Sequence, residues 1–195
     1  MSAYPIQPAA EFHFLTPLYD FICGLTGYGT GFKRRLLHWA GLEPHHRVLD
    51  VGCGSGTLAV LIRENLPAAR LEAVDPDRRI LLQAQRKATR RRLSVAFRTA
   101  RAEALPFPGG TFDRILSTLT YHHIPDDYKG AALAETRRVL KPDGRFLLAD
   151  FESTTSRLFR GKGRSAKSLE EWLRAAGFEP RRLEIRRGVH VWLAA

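Results

Sequence analysis

The sequence holds only two cysteines, Cys23 and Cys53. That is too few for a disulfide framework, and a reducing cytoplasm is the expected compartment. No apolar run approaches the roughly 20 residues that cross a bilayer, so a membrane-spanning chain is not expected. The first residues, MSAYPIQPAAEF, have neither a basic start nor an apolar stretch, and no signal peptide is predicted. No internal repeat and no second domain show in the pattern. Acidic residues are outnumbered, 20 Asp and Glu against 31 Lys and Arg, a net charge of +11. What is present is globular: 44% hydrophobic and 26% charged over 195 residues, a length that suits one domain with a sizeable core. The charge excess admits nucleic acid, an anionic membrane surface or an acidic substrate until it is located along the chain.

Residues 1–45 are irregular and aromatic (Phe12, Phe14, Tyr19, Phe21, Tyr28, Phe32, Trp39) and read as an N-terminal helical or lid segment. Residues 46–195 read as a single domain. RVLDVG is short, branched and apolar and bounded by glycine, a buried strand. TLAVLIREN follows as a helix with Leu58, Leu61 and Ile62 on one face, ended by Pro67. RLEAVD is the second strand. A helix from Pro76 to about Arg92 carries Ile80, Leu81, Ala84 and Ala88 inward. SVAFRTA and FDRILS are strands three and four, and a helix runs from Asp126 or Asp127 to Lys141, where Pro142 and Gly144 stop it. GRFLLADF is strand five. Ser168-Leu169-Glu170-Glu171 is a capping box and Gly177 suits the far end of that helix. RRLEIRR and HVWLAA make a hairpin about Gly188. The alternation predicts an α/β fold: a doubly wound, Rossmann-like seven-stranded sheet, mostly parallel, with an antiparallel C-terminal hairpin strand. Ligands of such sheets bind beyond the carboxyl ends of the strands, where the strand order reverses.

At the end of strand one stands Asp50-Val51-Gly52-Cys53-Gly54-Ser55-Gly56. Glycines suit a loop that turns tightly and lets a ligand approach the backbone, and this loop sits between a strand and a helix. Asp75 follows Gly56 by 19 residues, at the end of strand two, the spacing of a carboxylate that accepts both hydroxyls of a ribose. Asp75-Pro76 also suits a helix N-cap with proline in the first turn, and the two roles are compatible.

The glycine pattern is GxGxG, not the GxGxxG of nicotinamide-binding proteins. VLDVGCGSGTLA closely resembles class I S-adenosylmethionine-dependent methyltransferases. AEALPF followed by GTFD, YHHIPD, and RVLKPDGRF extend that resemblance over residues 47–151 in the expected order. The resemblance implies S-adenosyl-L-methionine as cofactor. It assigns the methionine portion to Asp50 and the backbone of Gly52, Cys53, Gly54 and Gly56. It assigns the ribose to Asp75 beside Pro76, and the adenine side to Arg101, Ala102 and Glu103. Ser117 and His122, on and after strand four, complete the expected cofactor residues. One position departs from the family. The residue before Ala-Glu is commonly Asp, which receives the adenine amino group, whereas Arg101 is a donor only. Glu103 or a backbone carbonyl then takes over, or Arg101 stacks on the purine. The segment FLTPLYD, with Tyr19, and the basic helix around Lys33-Arg34-Arg35 resemble the ubiquinone/menaquinone biosynthesis branch, where such a segment folds over the cofactor. A helix that merely buries its aromatics on the sheet is the alternative.

Methyl transfer is an in-line displacement in which orientation alone is worth about 7–11 kcal/mol. An acidic carbon, phenol or ammonium acceptor still needs a base, and His122 is the candidate, with His123 expected to pack or line the pocket without proton work. The Asn/Asp-Pro-Pro-Tyr/Phe string of exocyclic-amine methylating enzymes is missing, since the position reads Ser117-Thr118-Leu119-Thr120-Tyr121. No cysteine is placed to attack a pyrimidine. A small-molecule acceptor is therefore expected over nucleic acid, with an RNA methyltransferase or a non-catalytic cofactor-binding partner subunit as alternatives. Metal ligation has no support, because adjacent histidines rarely converge on one ion. Either a monomer or a homodimer suits the sequence.

The charge has two sources. Residues 78–92 hold seven basic side chains and no acid, and residues 157–167 hold five and no acid, so the other 169 residues are nearly balanced. The first cluster reads as a solvated helix face with cations at its C-terminus. The second follows strand five in a Gly/Ser/Arg stretch that reads as a loop able to meet an anionic acceptor or a membrane surface peripherally.

Overall fold

The computed structural model describes residues 28–151, 167–186 and 188–195. Tyr19 with the rest of its segment, Cys23, and all of the second basic cluster except Lys167 lie outside the described residues. In chain order the elements are α1 (Thr30–Ala40), β1 (Arg47–Val51), α2 (Thr57–Asn65), β2 (Arg70–Asp75), α3 (Arg78–Arg90), β3 (Ala96–Thr99), β4 (Phe112–Thr118), a 3₁₀ turn (Tyr121–His123), α4 (Asp126–Val139), β5 (Leu140–Phe151), α5 (Leu169–Ala175), β6 (Pro180–Arg186) and β7 (Val189–Ala194).

The strands form one seven-stranded sheet in the order β3-β2-β1-β4-β5-β7-β6. Strands β1 to β5 are mutually parallel, and β7 runs antiparallel to both β5 and β6. Alternate residues of each strand face opposite sides, so the sheet feeds two cores. Val48, Leu71, Ala73, Leu116, Leu147 and Val191 pack with α1, α2 and Leu81 of α3. Leu49, Val51, Val74, Ile115, Phe146 and Trp192 pack with α4 and α5 on the other face. Strand order reverses between β1 and β4, which fixes the ligand edge of the sheet.

Several boundaries differ from the sequence pattern, each for a local reason. Helix α4 stops at Val139, short of Lys141, because Gly110 and Thr111 donate their N–H groups to Arg138 O (2.9 Å) and Val139 O (2.8 Å). Leu140 then pairs with Phe112, so β5 begins four residues before Gly144, and a register shift between Phe112 and Arg114 absorbs the KPDG turn. The N-cap of α3 is Asp77, whose side chain accepts from Arg79 N, and the helix starts at Arg78. Asp75 is thus not the cap. Helix α2 buries Leu58 to Ile62 without interruption rather than on one face, because α1 covers its outer side with Phe32, Leu36 and Ala40. The capping box of α5 forms in both directions, Glu171 N to Ser168 Oγ (3.1 Å) and Ser168 N to Glu171 Oε2 (2.5 Å).

Candidate functional site

The carboxyl ends of β1, β2, β3 and β4 open onto a cleft of about 1080 Å³, counting the space open to solvent. The glycine loop forms its floor. Gly52 and Cys53 both donate to Val74 O, at 2.8 and 3.0 Å, so the loop is tied to β2 as soon as it leaves β1. Gly52 has φ +71° and stands against Thr120, where an added Cβ would lie 2.2 Å from the Thr120 side chain. Only glycine satisfies both the backbone and this approach. The contact locks the loop after β1 to the loop after β4, and Thr120 Oγ1 donates to Gly52 O at 3.2 Å.

Asp50, Asp75 and Glu103 line this cleft and come from the ends of β1 and β2 and the loop after β3. Asp50 is 1% exposed, and its Oδ2 is buried with no hydrogen-bond partner among the described residues. Burial pushes its carboxyl up to about 7, with Lys33 opposing and Asp75 adding to the rise. Asp75 is pinned from two sides: Oδ2 accepts from Gly54 N and Oδ1 from Asp77 N, both at 2.9 Å. Its carboxyl is pushed up to about 6, by burial against these two donors. Each oxygen keeps a further lone pair for a ligand. Arg101 donates through Nε to Glu103 Oε1 at 2.5 Å, which leaves Glu103 Oε2 buried and without a partner among the described residues.

A cleft lined by these acceptors calls for a ligand rich in donors. A pyrophosphate would meet carboxylates where a dinucleotide site offers N–H groups. At the position that departs from the family, Arg101 is thus paired with Glu103, and both line the cleft.

The expected residues among those described divide two ways. Asp50, Gly52, Cys53, Gly54, Asp75, Pro76, Arg101, Ala102 and Glu103 line the cleft. Gly56, Ser117 and His122 do not. Gly56 (φ +74°) packs on α3, where a Cβ would lie 2.7 Å from Ala84 Cβ, and buried Ser117 donates its hydroxyl to Val51 O (2.8 Å). His123, not His122, faces the cleft. Its imidazole is pushed down to about 4 by burial and by the His122 ring, with Asp150 opposing, so it is neutral at physiological pH. His122 sits behind it with Nδ1 2.6 Å from Asp150 Oδ1. Cys53 is buried, and burial raises its thiol well above the ordinary value, which keeps it protonated and non-nucleophilic.

Lys33 and Thr120 also line the cleft, and Asp150 stands behind its wall against His122; neither Thr120 nor Asp150 is marked by the motifs. Asp150 carried a legible signal. LLADF ends an apolar strand on a buried acid, as RVLDVG does. Elsewhere, His45 and His46 do converge, contrary to expectation: with Glu43 their ligand atoms lie within 4.8 Å of one another. The group precedes β1, at the opposite end of the sheet from the cleft. His46 Nδ1 already accepts from Glu43 N at 2.9 Å, so it closes a turn.

A parallel sheet whose switch point carries a glycine loop and these acidic acceptors defines a nucleoside-cofactor-binding α/β protein. The methyltransferase domain family matches residues 48–144. The demethylmenaquinone methyltransferase of Thermus thermophilus is 36% identical over 139 residues, covering 70% of this chain and 62% of the relative. A ubiquinone/menaquinone biosynthesis C-methyltransferase of Geobacter sulfurreducens is 30% identical over 151 residues, covering 75% and 58%. The structure of an S-adenosylmethionine-dependent methyltransferase from Aquifex aeolicus superposes with TM-score 0.70 at 22% identity, covering 83% of this chain and 88% of that one. The chain belongs to the class I S-adenosylmethionine-dependent methyltransferases. It spans about three fifths of the length of the curated relatives it matches.

Proposed function

We propose that this protein binds S-adenosylmethionine in the cleft and directs its methyl group to a small-molecule acceptor of the phenol or hydroquinone type. The observation that carries the reading is the array of Asp50, Asp75 and Glu103, with buried unpartnered oxygens at the Asp50 and Glu103 positions. The names of the relatives support the acceptor class. Bound S-adenosylmethionine supplies an electrophilic methyl group on a cationic sulfur. The chain's own residues do the rest. Asp50 takes the ammonium, Asp75 fixes the ribose, Glu103 with Arg101 takes the adenine amine, and the Gly52–Thr120 contact holds the methionine end of the loop against the turn that carries the two histidines. Catalysis on this frame is chiefly alignment.

Titration calorimetry with S-adenosylmethionine and S-adenosylhomocysteine tests the reading, followed by transfer of labelled methyl to a panel of hydroquinones, phenols, amines and RNA. Binding of both nucleosides and labelling of a hydroquinone or phenol are expected. Absence of binding alongside tight binding of a dinucleotide overturns the cofactor assignment, and labelling of RNA alone overturns the acceptor class.

A further inference from the structure

Helix α3 turns Ile80, Leu81, Ala84 and Ala88 inward and exposes Arg78, Arg79, Leu82, Arg86 and Arg90. No Asp or Glu occurs between residues 78 and 92. None of these four arginines forms an ion pair among the described residues, whereas Arg91 beside them holds Glu64. The arrangement works against the helix itself. Arg78 and Arg79 fill a first turn that holds no acid, at the positive end of the helix dipole, where carboxylates are favoured. Arg86 and Arg90 stand one turn apart as a like-charge pair. Arg92 then holds a left-handed backbone, φ +57°, a conformation that glycine adopts without strain. Helix stability accounts for none of these three choices. A row of guanidinium groups on one helix face instead suits a partner that presents an array of phosphates.

Leu82 decides which kind of partner. It is 48% exposed, the only exposed large hydrophobic side chain among the described residues. Arg78 and Arg79 stand one turn before it and Arg86 one turn after, so the leucine is ringed by cations. We propose that the exposed face of α3 docks on an anionic lipid bilayer, with Arg78, Arg79, Arg86 and Arg90 on lipid phosphates and Leu82 anchored among the acyl chains. Such an interface takes charge and apolar surface together. Nucleic acid would take the arginines equally, but it offers the leucine no apolar bed, and α3 has no aromatic side chain on which a base would stack. The face begins at the rim of the cleft, because Asp77, the residue before Arg78, lines it. The proposal goes beyond the methyl transfer and does not depend on it.

Co-sedimentation of the full chain with phosphatidylcholine vesicles, with and without phosphatidylglycerol, tests it, alongside titration of a single-stranded RNA. Binding to the phosphatidylglycerol vesicles is expected at low salt, with loss at high salt and no binding to phosphatidylcholine alone. Arg86→Gln should weaken vesicle binding about fivefold, and adding Arg78→Gln and Arg79→Gln should weaken it by a similar factor each. Leu82→Gln should weaken vesicle binding about fivefold as well. Absence of binding to anionic vesicles, or equal binding to both vesicle types, overturns the proposal. So does wild-type affinity in the triple arginine variant, which moves the docking surface off α3. Arg86→Gln alone, one exchange at an exposed position, keeps that comparison open should the triple variant fail to fold. Undiminished vesicle binding in Leu82→Gln removes the bilayer anchor and overturns the proposal too. RNA binding that is tighter than vesicle binding and is lost in the arginine variants makes the face a nucleic-acid surface instead.

Discussion

At the scale of single residues, Asp50 is held where a carboxylate is costly. It is 1% exposed, one oxygen has no partner among the described residues, and its carboxyl is pushed up to about 7, chiefly by burial. A cationic ligand group repairs that cost by bringing both charge and hydrogen to the orphaned oxygen. Asp50→Asn is expected to weaken S-adenosylhomocysteine binding by about 1.5–3 kcal/mol, roughly ten- to hundred-fold, as read by calorimetry. Unchanged affinity would place the ammonium elsewhere. Asp75 shows how a neighbour frees a functional group. Asp77 takes over the cap of α3, and Asp75 is left facing the cleft, steadied by two backbone donors.

Among the elements, the loop after β1 and the turn after β4 act as one unit because Gly52 lets Thr120 approach. Gly52→Ala combines a left-handed φ with a 2.2 Å overlap. A cost of about 1–3 kcal/mol is expected, roughly 2–12 °C in Tm, together with loss of cofactor binding. A variant with unchanged Tm and affinity would show that the loop relaxes away from Thr120. Helix α5 offers a contrast far from the cleft. Its capping box satisfies two end donors, so Ser168→Ala should cost about 1 kcal/mol, some 2–4 °C in Tm, with cofactor affinity untouched. A fall in affinity would mean that α5 is coupled to the site.

For the whole molecule, the two raised carboxyls link cofactor binding to pH. Asp50 and Asp75 hold protons in the folded chain, at about 7 and about 6, that the unfolded chain has already released. In the free protein their contribution to stability is therefore greatest at low pH and is lost as pH rises through 6 to 7. A cationic ligand stabilises the ionised forms, so its affinity rises over the same interval. The increase in Tm caused by saturating S-adenosylhomocysteine should be larger at pH 8 than at pH 5.5. Comparing samples with and without ligand cancels groups remote from the cleft, and His123, at about 4, stays neutral throughout. An equal or smaller increase at pH 8 would show that the carboxylates do not face the ligand's charge. The charge excess also resolves at this scale. Arg78, Arg79, Arg86, Arg90, Arg91 and Arg92 are exposed on or just after α3, with Arg91 paired to Glu64, as expected of a solvated face. Lys87 differs, because its Nζ donates to Ser55 and Thr57 at 3.0 and 2.7 Å and ties α3 to the start of α2.

The sequence by itself determined the alternation of strands and helices, the doubly wound sheet, the glycine loop and the positions of Asp50 and Asp75. Burial periodicity and turn chemistry are local, and a residue's inward or outward direction repeats along the element that carries it. The tertiary structure decided what depends on convergence. It chose His123 over His122 for the cleft wall, joined His122 to Asp150 28 residues away, set Thr120 against Gly52, and paired Arg101 with Glu103. Adjacent histidines in a tight 3₁₀ turn point in different directions, and only the strands packed behind that turn determine which of them faces the cleft and which meets a buried carboxylate.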